Sequence, residues 1–219
     1  PSFSVTLAMG HSLGEITAAA WAGAMDHEAG LDLMVARGAL GDDLTAARPG
    51  AMVAVNRWDR DQVERLRARV LAQGPADGVL DVAVVNSPTQ IVLSGDATLV
   101  EAATEAANDQ GAVARKLPIG GAYHSSLMAP SVDAFAARAG AAVSDEPRVP
   151  VLSSTSQQLM TTPGAIADGV TASLTRAVDW PATVEAAVAF GVTAAVEAGP
   201  GDTLRRLARF APGLVFTAP

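Results

Sequence analysis

The 219-residue chain has no cysteine, three histidines, one tyrosine and no apolar run approaching the ~18 residues of a membrane span. Each scarcity removes a class of function. Without cysteine, disulfide frameworks and Cys-ligated zinc or iron–sulfur sites are excluded. The three imidazoles, His11, His27 and His124, fall at no metal-ligand spacing, so no metal site is expected. Cations are scarce as well. Fifteen Lys and Arg stand against 23 Asp and Glu, a formal net charge of −8 that disfavours nonspecific binding to nucleic acid. An anionic substrate therefore needs a local cation. No basic region with a following apolar signal core opens the chain, so the expectation is a cytoplasmic protein with neither a membrane nor a nucleic acid partner. Aliphatic residues are plentiful: 49% hydrophobic content over this length supplies a substantial core, as one domain or as a domain carrying an insertion. The chain opens on Pro1 and reaches a strand-like run, "SVTLAM", almost at once, so it is expected to be trimmed at its N-terminus.

The stretch "GHSLGEITAA", residues 10 to 19, follows that run and leads into an alanine-rich helical pattern. Glycines at 10 and 14 would let a strand reverse into a helix so tightly that Ser12 points outward as a nucleophile. The Leu13 N–H would then lie at the helix N-terminus, where free donors and the helix dipole favour an oxyanion. The competing reading is that Ser12 merely caps the helix. A serine nucleophile needs a base, and His124, on the Gly-rich loop "IGGAYHSSLM", is the candidate; His11 is expected to splay to the other side of the turn.

Periodicity predicts helices over Glu15 to Met25 and from an Asp26 cap to about Leu44, ended by "RPG". There follow a strand "AMVAVN", an amphipathic helix closed by Gly74, strands "VLDVAVVNS" and "QIVLSGD", a helix capped by Asp96 and stopped by Gly111, and a strand "AVARKLP". That βαββαβ order is the ferredoxin-like arrangement, able to fold as an insertion. After the histidine loop the pattern predicts a helix from Leu127 to Val143, a strand "VPVLSS", helices near 164 to 175 and 181 to 191, a strand "TAAVEA", a helix from Asp202 and a last strand. Alternating strands and helices imply a mostly parallel sheet covered on both faces.

Taken in order, "GHSLGE", "VARG", "AVVNSP", "GAYHSSLM" and "EAGPGDTL" resemble the malonyl-CoA:acyl-carrier-protein transacylases and the acyltransferase domains of polyketide synthases. The resemblance implies an α/β fold: an α/β-hydrolase-like large subdomain with a parallel sheet over 1–48 and 120–219, carrying a ferredoxin-like small subdomain over 49–119. It makes Ser12 the acylated residue and His124 its general base. The malonyl group would pass from malonyl-CoA to the phosphopantetheine thiol of an acyl carrier protein, with no cofactor bound by the chain itself. Arg37 falls on the family arginine, whose planar fork suits the free malonyl carboxylate; the plainer reading is an exposed helix residue. Asn86 falls near the acyl pocket, or is a hairpin-turn residue. Leu13 is as in malonyl-type members, and Tyr123 places an aromatic ring where those members have phenylalanine and methylmalonyl-type members serine, filling the space an α-methyl would need.

Two departures stand out. Where the family has a glutamine whose carbonyl orients the histidine, this chain has Ser173; and the upstream Gly-Gln-Gly segment, whose glutamine helps to build the oxyanion hole, is missing. The alternatives are a serine thioesterase or esterase and a noncatalytic remnant of the fold. Hydrolase triads usually place their histidine late, yet none follows position 124; a remnant would not be expected to keep Ser12, His124 and Arg37 together.

Overall fold

The computed structural model describes residues 4–210 and 213–217. Its elements in chain order are β1 (Ala8–Met9), α1 (Gly14–Trp21), α2 (His27–Ala47), β2 (Gly50–Asn56), α3 (Arg60–Gln73), β3 (Leu80–Ser87), β4 (Gln90–Asp96), α4 (Ala97–Asp109) and β5 (Val113–Lys116). They continue as α5 (Val132–Ala142), β6 (Val151–Leu152), β7 (Leu159–Met160), α6 (Pro163–Ala172), β8 (Val178–Asp179), α7 (Trp180–Ala189), β9 (Ala194–Val196), α8 (Thr203–Leu207) and β10 (Val215–Thr217).

The segment from β2 to β5 forms an antiparallel sheet in the spatial order β5-β2-β4-β3, the ferredoxin-like arrangement expected from its βαββαβ order. Alternation along β2 divides the two faces. Val53 and Val55 join Leu80, Ile91 and Leu93 beneath α3 and α4, whereas Met52 and Ala54 lie on the opposite face with Val84, Val92 and Tyr123. Burying each large aliphatic side chain contributes about 1.5–3 kcal/mol relative to leaving it exposed, so the helix-covered face supplies this unit with its own core. A fifth strand, β8, comes from outside the expected insertion and pairs parallel with β3, Val84 opposite Val178. Periodicity could not show this pairing, because two residues carry no period.

The rest of the chain is α/β with short parallel pairings: β1 with β6 and β9 with β10, while β7 adds antiparallel to β6. The expected strands "SVTLAM", "VPVLSS" and "TAAVEA" shrink to two or three paired residues each. Their core gathers Ile16, Met25, Leu33, Phe135, Val151, Ile166 and the small residues of α1.

Several helix limits differ from expectation for local reasons. Helix α1 stops at Trp21 rather than Met25 because Gly23 turns left-handed, with φ +85°, and its N–H closes on the Ala20 carbonyl. The helix expected from Leu127 to Val143 is broken into a 3₁₀ segment over Ser126–Ser131 and α5, since Pro130 lacks the N–H that a continuous α-helix needs. Asp96 occupies the N-cap position of α4 without capping it. Its carboxylate instead binds Arg48 Nε and Nη2 at 2.6 and 2.8 Å and accepts the Val79 N–H at 2.7 Å. The end of α2 is thereby tied to the small sheet.

Candidate active site

Between β1 and α1 the chain reverses through Ser12, whose φ of +53° is unusual for a residue with a side chain. Gly10 is required here: a Cβ at that position would lie 1.9 Å from the Gly14 carbonyl oxygen. Gly14 is not required in this way, as a Cβ there meets nothing within 4 Å. Ser12 does not cap α1. The N-cap is Leu13, which makes no side-chain cap hydrogen bond; the Gly14, Glu15 and Ile16 N–H groups close onto the His11, Ser12 and Leu13 carbonyls, and the Leu13 N–H has no backbone partner among the described residues. The Leu13 side chain is 42% exposed beside this open helix end.

The Ser12 hydroxyl meets His124 across 112 residues of sequence, Oγ to Nε2 at 2.6 Å. His124 is buried, with a φ of +59°. Its N–H donates to the Leu174 carbonyl at 2.8 Å, and Nδ1 lies 3.1 Å from the Arg176 carbonyl. A carbonyl can only accept, so Nδ1 carries the proton and Nε2 is left to accept from Ser12. The Arg176 carbonyl thus does what was expected of Ser173, whose carbonyl contributes less to the imidazole. The reason is local: α6 ends at Ala172 and the chain turns around the ring before β8. Burial, and secondarily the positive charge of Arg37, push the imidazole pKa down to about 3, so it is a neutral base at physiological pH.

Arg37 is not an exposed helix residue. It is buried on α2, with Nη2 3.4 Å from Ser12 Oγ and 3.5 Å from His124 Nε2. One face of its guanidinium lies over the Tyr123 ring, 4.5 Å from the centroid. Desolvation lowers its pKa, partly offset by Tyr123 and Glu15. His11 does splay away from Ser12: Nε2 donates to Asn86 Oδ1 at 2.9 Å, and the ring tilts against Trp180. Asn86, on β3, therefore reaches the elbow through His11.

Sequence reasoning singled out no role for Glu15. Fully buried in α1, its Oε2 accepts from the Ser154 N–H at 2.8 Å and from the Ser154 hydroxyl at 2.7 Å, which anchors the helix behind the nucleophile. Burial raises its pKa despite those donors. The available signal was a lone acid in an otherwise apolar helix, three residues after the serine. Among the described residues no cluster of His, Asp and Glu could hold a metal. A cavity of about 660 Å³ has His124, Arg67, Asp81 and Thr175 in its wall but neither Ser12 nor Arg37, so it opens behind the imidazole.

A serine on a strained strand-to-helix turn, a neutral histidine accepting its proton and a buried cation beside both form a nucleophile site. Residues 6–209 match the family model described as "Acyl transferase domain". The chain belongs to this acyl transferase family. Over 198 residues it is 35% identical to polyketide synthase GfsA of Streptomyces halstedii, covering 90% of this chain and 2% of that protein. It is 32% identical over 201 residues to the malonyl CoA-acyl carrier protein transacylase of Bacillus subtilis (strain 168), covering 91% of this chain and 62% of that protein. This acyl transferase chain thus spans less than two thirds of the length of those relatives. Among solved structures, the acyl-carrier-protein S-malonyltransferase of Burkholderia pseudomallei 1710b superimposes with a TM-score of 0.89 at 30% identity, covering 99% of this chain and 70% of that one. A malonyl-transacylase in complex with its type II polyketide synthase acyl-carrier protein gives 0.88 at 29% identity, with the same coverage.

Proposed function

We propose that the chain carries the Ser-His acyl transfer site of a malonyl-CoA:acyl-carrier-protein acyltransferase. The observation that carries the reading is the buried Arg37 guanidinium 3.4 Å from the same Ser12 oxygen that contacts His124 at 2.6 Å. A nucleophile that attacks a plain acyl thioester has no need of a desolvated cation there, whereas a donor with a free carboxylate supplies the counter-charge. The names of the relatives point to the same donor and acceptor.

In the proposed cycle His124 Nε2 takes the Ser12 proton as Oγ adds to the thioester carbonyl of malonyl-CoA. The oxyanion forms at the Leu13 N–H, at the N-terminus of α1, where the helix dipole favours it. Collapse breaks the C–S bond, and His124 returns the proton to the departing CoA sulfur. The phosphopantetheine thiol of the carrier then gives its proton to His124 and attacks the malonyl-serine ester. Breaking that ester restores the Ser12 hydroxyl with the proton held on Nε2. Leu13, Asn86 and Tyr123 are assigned to the acyl pocket and its support, with 49–119 the inserted small subdomain between the two parts of the large one. A cytoplasmic setting, and a chain that binds no cofactor of its own, belong to the same proposal.

Incubation with malonyl-CoA followed by intact mass measurement and peptide mapping tests it. The expected result is a malonyl adduct on Ser12, absent in Ser12→Ala and discharged by a phosphopantetheinylated carrier. Free malonate without a carrier would make the chain a thioesterase, and no reaction would make it a noncatalytic member. A label on Ser125 or Ser126 would overturn the elbow assignment.

A further inference from the structure

Gly41 lies four residues after Arg37 on α2, and so on the same helix face, and both are buried. A Cβ at position 41 would lie 2.3 Å from the Tyr123 hydroxyl oxygen, 2.7 Å from its Cζ and 3.1 Å from its Cε1. Those three atoms are the hydroxyl end of one rigid ring, so a side chain at 41 would force that end of the ring to shift. On the other edge, a Cβ at Gly121 would lie 3.3 Å from Tyr123 Cε2. The ring therefore occupies a slot left by the missing side chain at 41 and bordered more loosely by Gly121, and the Arg37 guanidinium lies on its face. Little else holds that guanidinium. Arg37 Nε is buried without a hydrogen-bond partner among the described residues, and the contacts of Nη2 with Ser12 and His124 are long.

We propose that Gly41 is a specificity-determining residue: by leaving the slot open it seats the Tyr123 ring, and the ring holds the Arg37 guanidinium over the Ser12–His124 pair, where it selects acyl donors bearing a free carboxylate. The selection step rests on the function proposed above; the seating of the ring does not. The backbone offers the ring no other way to move. His124, the next residue, is pinned by its N–H bond to the Leu174 carbonyl, so a displaced Tyr123 must rotate about its own side-chain bonds, away from the guanidinium.

The test uses Gly41→Ala, Tyr123→Ala, the double variant, and Gly38→Ala as a control on the same helix, where an added Cβ meets nothing within 4 Å. Because Tyr123 is the only tyrosine in the chain, a ring-labelled tyrosine gives one set of NMR signals. Cross-relaxation between the Arg37 methylene protons and that ring is expected in the wild type and in Gly38→Ala, and is expected to vanish in Gly41→Ala. The preference for malonyl-CoA over acetyl-CoA, as a ratio of kcat/KM, should fall by roughly tenfold in Gly41→Ala, the scale of a partly desolvated cation–π contact. Tyr123→Ala should lose as much, and Gly41→Ala should add nothing to it, since both changes remove the same contact. If Gly41→Ala does not fold, Tyr123→Ala decides: an unchanged preference overturns the proposal. Persistent Arg37–Tyr123 cross-relaxation in folded Gly41→Ala, or additive losses in the double variant, overturns it as well. Intact cross-relaxation behaviour with no acyl group on wild-type Ser12 would instead overturn the proposed function while the seating of the ring stands.

Discussion

The base proposed for Ser12 is useful only while it is neutral, and His124 is kept neutral mainly by burial and then by the adjacent guanidinium. With the pKa held down to about 3, acylation should not weaken as pH falls through the ordinary histidine range near 6.5. The acid limb should lie well below it. Removing the cation favours the imidazolium, so Arg37→Ala should move that limb to higher pH. The rate at which Ser12 is labelled by a neutral organophosphate, followed from about pH 2.5 to 8 so that the limb falls inside the window, measures this without needing Arg37 to hold a carboxylate. A limb at the same pH in both proteins would show that Arg37 does not bear on the base.

At the scale of elements, the nucleophile turn is held from two sides. Glu15 binds α1 back to Ser154, just beyond β6, while the His11–Asn86 hydrogen bond joins the elbow to β3 of the small sheet. The second tie makes the small sheet part of the support of the Ser12 turn. Asn86→Ala should cost about 0.5–1.5 kcal/mol in stability, the net value of one hydrogen bond, and should also slow Ser12 labelling by up to about tenfold as His11 loses its anchor. Urea unfolding together with the labelling rate checks both. A stability loss with unaltered labelling would make Asn86 a packing residue with no bearing on the elbow.

For the molecule as a whole, the net charge of −8 means that a proposed acidic carrier protein would need a local basic surface on which to dock. A groove of about 450 Å³ between the β3–β4 hairpin and α8 gathers Arg57, Arg206 and Arg209 with Asn56 and Gln90 in its wall. On α3, by contrast, Arg67 is engaged by Glu64 and the Leu80 carbonyl, and Arg69 reaches Gln110. The groove is therefore the better docking candidate, even though Arg206 also pairs with Asp202. Arg206→Glu with Arg209→Glu should raise KM for the carrier about tenfold at low salt and less at high salt, leaving KM for malonyl-CoA unchanged. Equal effects on both substrates would place docking elsewhere.

What the chain declares locally was readable from its order of residues. The βαββαβ unit has strands and helices long enough to show their periods, Asp59 and Gln62 form a capping box at the head of α3, and Ser12 sits between glycines where a strand gives way to a helix. Local pattern cannot say which distant groups meet. That His124 comes to within 2.6 Å of Ser12, that Arg176 rather than Ser173 supplies the carbonyl at its Nδ1, and that β8 joins the small sheet are results of packing between segments far apart in the chain. Asp96 shows the same limit. Its position announces a helix cap, but a better-placed guanidinium from the end of α2 takes the carboxylate. Gly41 carries no local signal at all, being one more glycine inside a helix, until the fold lays the Tyr123 ring where its side chain would have been. Sequence determines the elements and the reactive groups they bear, because those depend on neighbours within a few residues; tertiary structure alone decides pairings and protonation, because burial and contact are properties of the assembled core.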